Sequence, residues 1–294
     1  MHIKITELSN LLEESLYKYF DAHFDEYAVL FDSMKYSVKN GGKRVRPLLT
    51  LLFCDACGGD VKAAIPMAEA VEYIHTYSLI HDDLPCMDDD DFRRGKPSNH
   101  KVYGEAMALL AGDGLLTAAF EKIAMWSKAG LYSAAVAVEA ISALSVYAGS
   151  RGMIGGQVID IQNENKPDIS FETLRLLDSL KTGALIEAAC VMGCIVAGAD
   201  EEKIDAAKKF AGNIGLAFQI KDDILDVTSS LEKLGKLTGS DIENGKTTYV
   251  TLLGVEECQR LVDELTDEAL QALEAFSDNE ALKEYAEYLA KRDY

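Results

Sequence analysis

The sequence is poor in residues that break helices. It contains five prolines and one tryptophan among 294 residues, whereas alanine, leucine, glutamate and lysine are abundant. The abundant residues are good helix formers, and proline is the poorest one. The composition therefore predicts an all-α protein, and its length suits one large domain or two small ones.

Cationic residues are also scarce. The chain has 29 lysines and arginines against 49 aspartates and glutamates, which gives a formal net charge of −20. A surface this acidic repels phosphate backbones, so nucleic acid is excluded as a partner. An anionic small molecule is not excluded, because a local basic patch with a metal ion overrides the global field.

The sequence also lacks a long apolar run and a cysteine framework. The longest uncharged apolar run, 188–199, is too short to cross a bilayer, and the acidic N-terminus has no apolar core, so we expect no transmembrane segment or signal peptide. Cys54 and Cys57 form a C-x-x-C without the partners of a zinc site, and Cys190 and Cys194 lie one helical turn apart. We expect reduced core cysteines in a cytoplasmic protein.

Helical periodicity dominates what is present. Leu8, Leu11, Leu12 and Leu16 form the apolar stripe of a first amphipathic helix. Pro66 is predicted to begin a later helix, which runs through Tyr77 to the aspartates that start at residue 82. No run alternates like strands, and no repeat, linker or low-complexity tract divides the chain. We therefore predict one domain over residues 1–294, a large antiparallel helical bundle.

An aspartate-rich segment lies in an apolar stretch near residue 222. Asp222 and Asp226 are four residues apart, so they share one helix face, and Gln219 lies on the same face. A solvated acidic helix end is the plain alternative. The flanking apolar residues argue against it: Phe218, Ile220, Ile224 and Leu225.

The other aspartate-rich segment begins at Asp82. Asp82 and Asp88 are six residues apart, about 240° around a helix, so one helix cannot bring them together. Pro85 disfavours helix at Leu84. We therefore expect the chain to leave helical geometry here and to direct Asp88 back toward Asp82, although an exposed acidic loop would have the same composition.

Buried carboxylates repel each other and raise each other's pKa, so a buried pair of such segments needs a neutralising cation. Hard metal ions suit carboxylates, and Mg²⁺ usually completes its shell with substrate phosphates. The two segments together predict an enzyme that acts on a diphosphate.

Basic residues cluster in four places in this acidic chain. Arginine suits bidentate phosphate contacts and lysine acts as a point charge. Each cluster alone has a plain surface interpretation, but together they indicate two separate phosphate sites. His75 is a further candidate, because it lies about two helical turns before Asp82. The clusters are Lys43-Arg44-x-Arg46 behind Gly41-Gly42, Arg93-Arg94, Lys181-Thr182, and Lys236 with Lys246.

Gly245-Lys246-Thr247 resembles the end of a nucleotide-binding P-loop. The first glycine of that motif should fall at position 240, which is Ser240, and no buried strand precedes it. We reject a nucleotide-binding site there.

These features together resemble the trans-isoprenyl diphosphate synthases, specifically the bacterial-type farnesyl and geranylgeranyl diphosphate synthases. The resemblance covers nearly the whole chain, and motifs in this order and spacing are highly specific. They are Gly-Gly-Lys-Arg-x-Arg-Pro at 41–47, DDxxxxD at 82–88 with Arg93-Arg94, Gly-Gln-x-x-Asp at 156–160, Lys181-Thr182, and Phe-Gln-x-x-Asp-Asp-x-x-Asp at 218–226.

The resemblance implies an isoprenoid-synthase barrel around a central cavity, a homodimer, and about three Mg²⁺ ions, for which Mn²⁺ can substitute. It implies Asp82, Asp83, Asp88, Asp222 and Asp226 as metal ligands, all catalytic together with Arg93 and Lys181. It implies substrate contacts from Lys43, Arg46, His75, Arg93, Arg94, Lys181, Thr182, Gln219, Lys236 and Lys246. In relatives, an arginine near the C-terminus approaches one of the diphosphates, which makes Arg292 a weak candidate for a substrate contact.

Product length is predicted from Tyr77. It lies five residues before Asp82, about 7.5 Å down the helix, where a ring would form the floor of the cavity. In the family an aromatic residue here goes with the C15 farnesyl product and a smaller one permits C20. We therefore expect farnesyl diphosphate, with geranylgeranyl diphosphate as the alternative, and count the adjacent Ser78 among the chain-length residues.

Two other functional classes remain as alternatives. A terpene cyclase also uses aspartate-rich metal motifs, but it needs no second diphosphate site, and the basic residues at 43–46 argue against it. A non-catalytic partner subunit need not retain both motifs. A Ca²⁺-buffering protein would carry an EF-hand loop, which the sequence lacks.

Overall fold

The computed structural model describes residues 3–21, 25–163, 166, 169–228 and 247–292. Over these residues the secondary structure is helical apart from one hairpin, which confirms the predicted all-α fold. The helices, numbered here in chain order, are α1 (Ile3–Leu16), α2 (Ala28–Val38), α3 (Val45–Ala56), α4 (Val61–Asp82), α5 (Asn99–Tyr103), α6 (Glu105–Lys128), α7 (Ala134–Ala148), α8 (Met153–Asn163), α9 (Phe171–Asp178), α10 (Ala184–Val196), α11 (Glu201–Thr228), α12 (Tyr249–Leu253), α13 (Val255–Ala272) and α14 (Glu280–Lys291).

A small hairpin follows the first aspartate-rich segment. Strands β1 (Phe92–Arg93) and β2 (Lys96–Pro97) pair antiparallel, with Arg93 opposite Lys96. The turn residues Arg94 and Gly95 have φ of +54° and +76°, the left-handed conformation that tight two-residue hairpins favour. The hairpin thereby presents two arginines next to the aspartates. The remaining short elements are 3₁₀ segments at Lys18–Asp21, Asp25–Tyr27 and Leu273–Ala275 and a π-helical turn at Ser179–Gly183.

Helix α10 lies in the centre of the bundle. Eleven of its 13 residues are buried, and it packs against α3, α4, α7 and α11. A helix that is apolar on all sides belongs in a core. Helix α9, the π-helical turn and α10 form one continuous segment, Phe171–Val196. By length and composition alone this segment could cross a membrane, but 67% of its most apolar window is buried inside the protein.

Helix α4 brings the first aspartate-rich segment to the end of a buried element. It begins at Val61, where Asp60 caps it by accepting a 2.9 Å hydrogen bond from the Lys62 amide. The sequence predicted that this helix starts at Pro66, but it starts five residues earlier. The Asp60 cap and the burial of the helix on several sides outweigh the loss of the proline N–H. Asp82 is its last residue, beyond a core shared with α3, α6 and α10.

Helix α11 carries the second aspartate-rich segment and packs against α10 and α13. It also borders a smaller apolar cluster that includes Ile220, Ile224 and Tyr249. The Asp223 carboxylate accepts a 2.8 Å hydrogen bond from the Tyr249 amide at the start of α12. Asp223 therefore fixes α12 to α11. Asp222 is exposed and Asp226 is half-buried, so the expectation that the apolar flanks would bury these carboxylates was wrong for Asp222. The flanking Ile220 and Ile224 face the core, whereas Asp222 lies on the opposite side of the helix.

Candidate active site

Asp82 and Asp88 are brought together by a turn, as the spacing predicted. Helix α4 stops at Asp82, and the Asp88 amide donates a 2.9 Å hydrogen bond back to the Asp82 carbonyl. Asp82 is half-buried and Asp88 is exposed. Burial raises the pKa of Asp82 to about 6; Lys181 opposes the shift, and the charge of Asp88 adds to it. The pair therefore carries negative charge that the nearby side chains do not fully neutralise.

Asp83 faces a different partner. Its carboxylate is buried and accepts hydrogen bonds from Arg93, at 2.8 Å from Nε and also from Nη2. Burial raises the pKa of Asp83, and Arg93 opposes this shift. Arg93 also contacts Asp90 at 3.2 Å. Two predicted site residues thus bind each other, and Asp83 holds Arg93 beside the loop that carries Asp88.

Arg94, the second arginine of the hairpin, packs against the glycine pair at 41–42. Arg94 Nη1 donates to the Gly41 carbonyl, and a Cβ at Gly42, where φ is +126°, would lie 2.5 Å from Arg94 Nη1. Arg94 Nη2 lies 3.4 Å from His75 Nε2. Burial, together with Arg46 and Arg94, holds the pKa of His75 well below its usual value, so His75 is neutral at pH 7.

Lys43 and Arg46 both feel the charge of Asp222. Burial lowers the pKa of Arg46 to about 10, and its Nε is buried without a hydrogen-bond partner among the described residues. The pKa of Lys43 is lowered by partial burial and by Arg292, with Asp222 acting in the opposite direction. Cations held this closely favour the arrival of an anion.

Arg44 is held by buried and half-buried partners rather than left open to an anion. Its φ is +48°, and its buried guanidinium contacts Glu72 at 2.5 Å, Glu13 at 3.0 Å and the Val38 carbonyl at 2.6 Å. It anchors the basic loop to α4 and α1. Sequence reasoning missed Glu72 as a supporting residue, although its place three residues before His75 puts both on one face of α4.

Arg292 lies against the second aspartate-rich segment. Its Nη2 donates hydrogen bonds to Asp222 at 2.6 Å and to the Phe218 carbonyl at 2.8 Å, and its guanidinium stacks 3.5 Å from the Phe218 ring centroid. Gln219 is half-buried one turn before Asp222. Oδ2 of Asp226 is buried and has no hydrogen-bond partner among the described residues.

Lys181 enters the site from the π-helical turn before α10, a type of irregularity that is common at functional sites. Its ammonium binds the Asp160 carboxylate of α8. A Cβ at Gly156 would clash with the Lys181 backbone, so the glycine allows α8 to approach the turn. Thr182 is half-buried next to Lys181.

The two residues predicted to set product chain length, Tyr77 and Ser78, lie on α4 before Asp82. The Tyr77 ring is buried and meets the His81 ring edge-on at 5.6 Å between centroids. Ser78 donates a 2.9 Å hydrogen bond to the His75 carbonyl, so its hydroxyl is used within the helix. The remaining predicted substrate contacts, Lys236 and Lys246, lie outside the described residues.

The donor set fits a hard divalent metal. Oδ2 of Asp226, which no hydrogen-bond donor contacts within the described residues, and the raised pKa of Asp82 both mark carboxylates suited to bind a cation. Oxygen donors of this kind suit Mg²⁺. Asp89 and Asp91 of the same loop and His100 of α5 also place ligand atoms within 4.8 Å of one another.

Comparison with known proteins agrees with this geometry. Residues 27–289 match the polyprenyl synthetase family model. The geranylgeranyl pyrophosphate synthase, chloroplastic, of Catharanthus roseus is 48% identical over 266 residues, which cover 90% of this chain and 74% of that protein. The geranyltransferase of Legionella pneumophila superposes with a TM-score of 0.88 at 33% identity, covering 98% of this chain and 96% of the other. The geranyltransferase of Helicobacter pylori, complexed with magnesium and isoprenyl diphosphate, gives a TM-score of 0.82 at 35% identity, covering 98% and 97%.

The chain belongs to the polyprenyl synthetase family. It is therefore a prenyltransferase of isoprenoid biosynthesis, and the magnesium in the Helicobacter pylori structure agrees with the carboxylate donors of this site.

Proposed function

We propose that the chain catalyses head-to-tail condensation of isopentenyl diphosphate with an allylic diphosphate to give geranylgeranyl diphosphate. One observation carries the proposal: two cationic groups lie near the carboxylates, and the hairpin contributes one arginine to each. One group is Lys181 with Arg93, and the other is Lys43, Arg46 and Arg94. Two diphosphates need two such groups, whereas a cyclase needs one.

The aspartates would receive the allylic diphosphate through Mg²⁺. We assign Asp82, Asp88, Asp222 and Asp226 as the ligands of the metal, which when bound neutralises the leaving diphosphate. Lys181, whose charge acts on Asp82, stabilises the negative charge that develops as the C–O bond breaks.

The loop at 41–46 and the hairpin would hold isopentenyl diphosphate. Lys43, Arg46 and Arg94 supply positive charge, and neutral His75 is able to donate one N–H to an oxygen of the diphosphate. The isopentenyl double bond then attacks the allylic carbocation, and the proton that is lost passes to the released diphosphate. The surrounding apolar helices exclude water from the cation.

C15 farnesyl diphosphate is the second candidate product. The buried ring of Tyr77, five residues before Asp82 on α4, favours it. Sequence similarity to a geranylgeranyl synthase supports C20. The two candidates differ by one condensation step and share every other feature of the mechanism.

A product assay tests both the proposed condensation and the proposed product length. Purified protein with Mg²⁺ receives labelled isopentenyl diphosphate and, separately, the C5, C10 or C15 allylic primer. Extension of the C15 primer to C20 supports geranylgeranyl diphosphate, and extension that stops at C15 supports farnesyl diphosphate. Failure to extend any primer contradicts the head-to-tail condensation.

We also propose that the chain forms a homodimer. Helices α6 to α8 carry exposed apolar side chains that include Leu110, Trp126, Val138 and Val158. Exposed apolar side chains on neighbouring helices are the kind of surface that an interaction site uses. Light scattering coupled to size exclusion should give twice the chain mass, and a monomer at micromolar concentration would contradict it.

A cytoplasmic location is likewise a proposal. It is supported by six free cysteines, four of them buried, as suits a reducing compartment. Fractionation of the source cell tests it.

A further inference from the structure

Two cysteines from opposite halves of the chain meet at one end of the bundle. Cys57 Sγ lies 3.8 Å from Cys194 Sγ, although the residues are 137 positions apart. Cys57 caps the C-terminus of α3, and Cys194 lies in the last turn of α10. None of the roles assigned above to the aspartates and cations uses this pair.

Close helix packing holds the two thiols in contact. A Cβ at Gly193 would clash with the Thr50 carbonyl of α3, so the glycine lets α3 and α10 approach each other. Beyond the helix ends, a Cβ at Gly59 would lie 2.6 Å from the Cβ of Ala197. Contacts on both sides therefore restrict relative movement of the helix ends that carry Cys57 and Cys194.

The two thiols differ in exposure. Cys57 is half-buried and Cys194 is fully buried. Contact with Cys194 and the charge of Lys203 hold the pKa of the Cys57 thiol below its usual value, although burial opposes this, and the pKa of Cys194 is raised. The more exposed thiol with the lowered pKa reacts first, and a buried neighbour in contact with it is suited to resolve the product.

We propose that Cys57 and Cys194 form a reversible redox site, in which a small-molecule disulfide converts the two thiols into an α3–α10 disulfide. The Cys57 thiolate attacks one sulfur of the oxidant and forms a mixed disulfide, releasing the first thiolate of the oxidant. Cys194 then loses its proton and attacks Cys57 Sγ, which releases the second thiolate. The protein loses two electrons and two protons, and the oxidant becomes two thiols.

The disulfide would close a loop of more than one hundred residues. Loop closure of this length strongly reduces the entropy of the unfolded chain. Because α3 and α10 are already in contact, the native state changes little. Oxidation is therefore expected to raise the Tm by about 5 °C, and reduction is expected to reverse the rise.

Oxidised glutathione is the probe. The full-length protein is treated, its remaining thiols are alkylated under denaturing conditions, and its peptides are mapped without reduction. We expect a crosslinked peptide joining Cys57 and Cys194, two hydrogens lighter than the separate peptides and cleaved by dithiothreitol. Recovery of Cys57 as a lasting glutathione adduct, or of Cys194 as an alkylated thiol, would overturn the proposal.

Variants separate this site from general thiol oxidation. Cys57→Ser, at a half-buried helix cap, should abolish both the crosslink and the rise in Tm, and Cys194→Ser should do the same. Cys86→Ser removes an exposed thiol elsewhere and should retain both effects. A rise in Tm that persists in Cys57→Ser would assign the stabilisation to another pair and contradict the proposal.

Discussion

Arg292 donates a 2.6 Å hydrogen bond to Asp222, the first carboxylate of the second aspartate-rich segment. The arginine is 3% exposed, and two of its other nitrogens, Nε and Nη1, have no hydrogen-bond partner among the described residues. A buried guanidinium thus neutralises a carboxylate that we assign to Mg²⁺. Metal binding at Asp222 has to compete with this ion pair.

Replacing Arg292 by glutamine should strengthen Mg²⁺ binding to the substrate-free protein. A charge-assisted hydrogen bond contributes about 1.5–3 kcal/mol, so the Mg²⁺ concentration that gives half of the full thermal shift should fall about tenfold. Lys291→Gln is the matched control, because Lys291 is exposed and pairs with Glu287 instead. An unchanged Mg²⁺ dependence in Arg292→Gln would show that the pair does not compete.

Asp82→Asn should stabilise the metal-free protein above pH 6. Burial raises the pKa of Asp82 from 3.8 to about 6 in the folded state. The unfolded chain therefore releases the proton first, and Asp82 lowers the free energy of unfolding as pH rises from about 4 to 6. With EDTA present, the Tm of the variant should match that of the wild type near pH 4 and exceed it at pH 7.

Exposed Asp89 provides the control for that comparison. Asp89→Asn should follow the wild-type Tm across the same pH range. A Tm difference between Asp82→Asn and the wild type that does not grow with pH would rule out the buried charge as its cause.

The same Asp82→Asn change should abolish most activity when Mg²⁺ is present. Removing one charged group that acts on the leaving diphosphate costs about 10²–10³ in kcat. Steady-state kinetics at saturating substrate measure the loss. Wild-type kcat in Asp82→Asn would remove Asp82 from the proposed metal site.

Adjacent residues Lys43 and Arg44 should respond to alanine in different ways. Arg44→Ala leaves Glu72 buried without its partner and should lower the free energy of unfolding by about 3–5 kcal/mol. Lys43→Ala should leave the Tm nearly unchanged and raise the KM for isopentenyl diphosphate about tenfold. Urea denaturation and steady-state kinetics distinguish them, and similar stability losses in both variants would contradict the assignment.

Tyr77→Ala should lengthen the product by at least one C5 unit. Removal of the ring opens space on α4 below Asp82, whichever length the wild type makes. Tyr77→Phe keeps the ring and should give the wild-type product. Chromatography of the dephosphorylated products measures both. If Tyr77→Ala makes the wild-type product while remaining folded, the floor of the cavity lies elsewhere.

Residue spacing and proline geometry were sufficient to predict the turn in the first aspartate-rich segment. Pro85 and the six-residue spacing predicted that the chain would leave the helix and bring Asp88 back to Asp82, and the 2.9 Å bond between their backbones confirms the turn. The helix start near Pro66 was wrong, because burial and the Asp60 cap outweighed the local cost of proline.

The sequence by itself determined the helical class, the two acidic segments and the family, because periodicity and short-range spacing are properties of neighbouring residues. Tertiary structure alone decided which charges meet. Asp83 binds Arg93, Arg44 binds Glu72, and Arg292 binds Asp222. Apart from the hairpin contact, these partners lie far apart in the chain, so packing of the bundle, and not spacing, selects them.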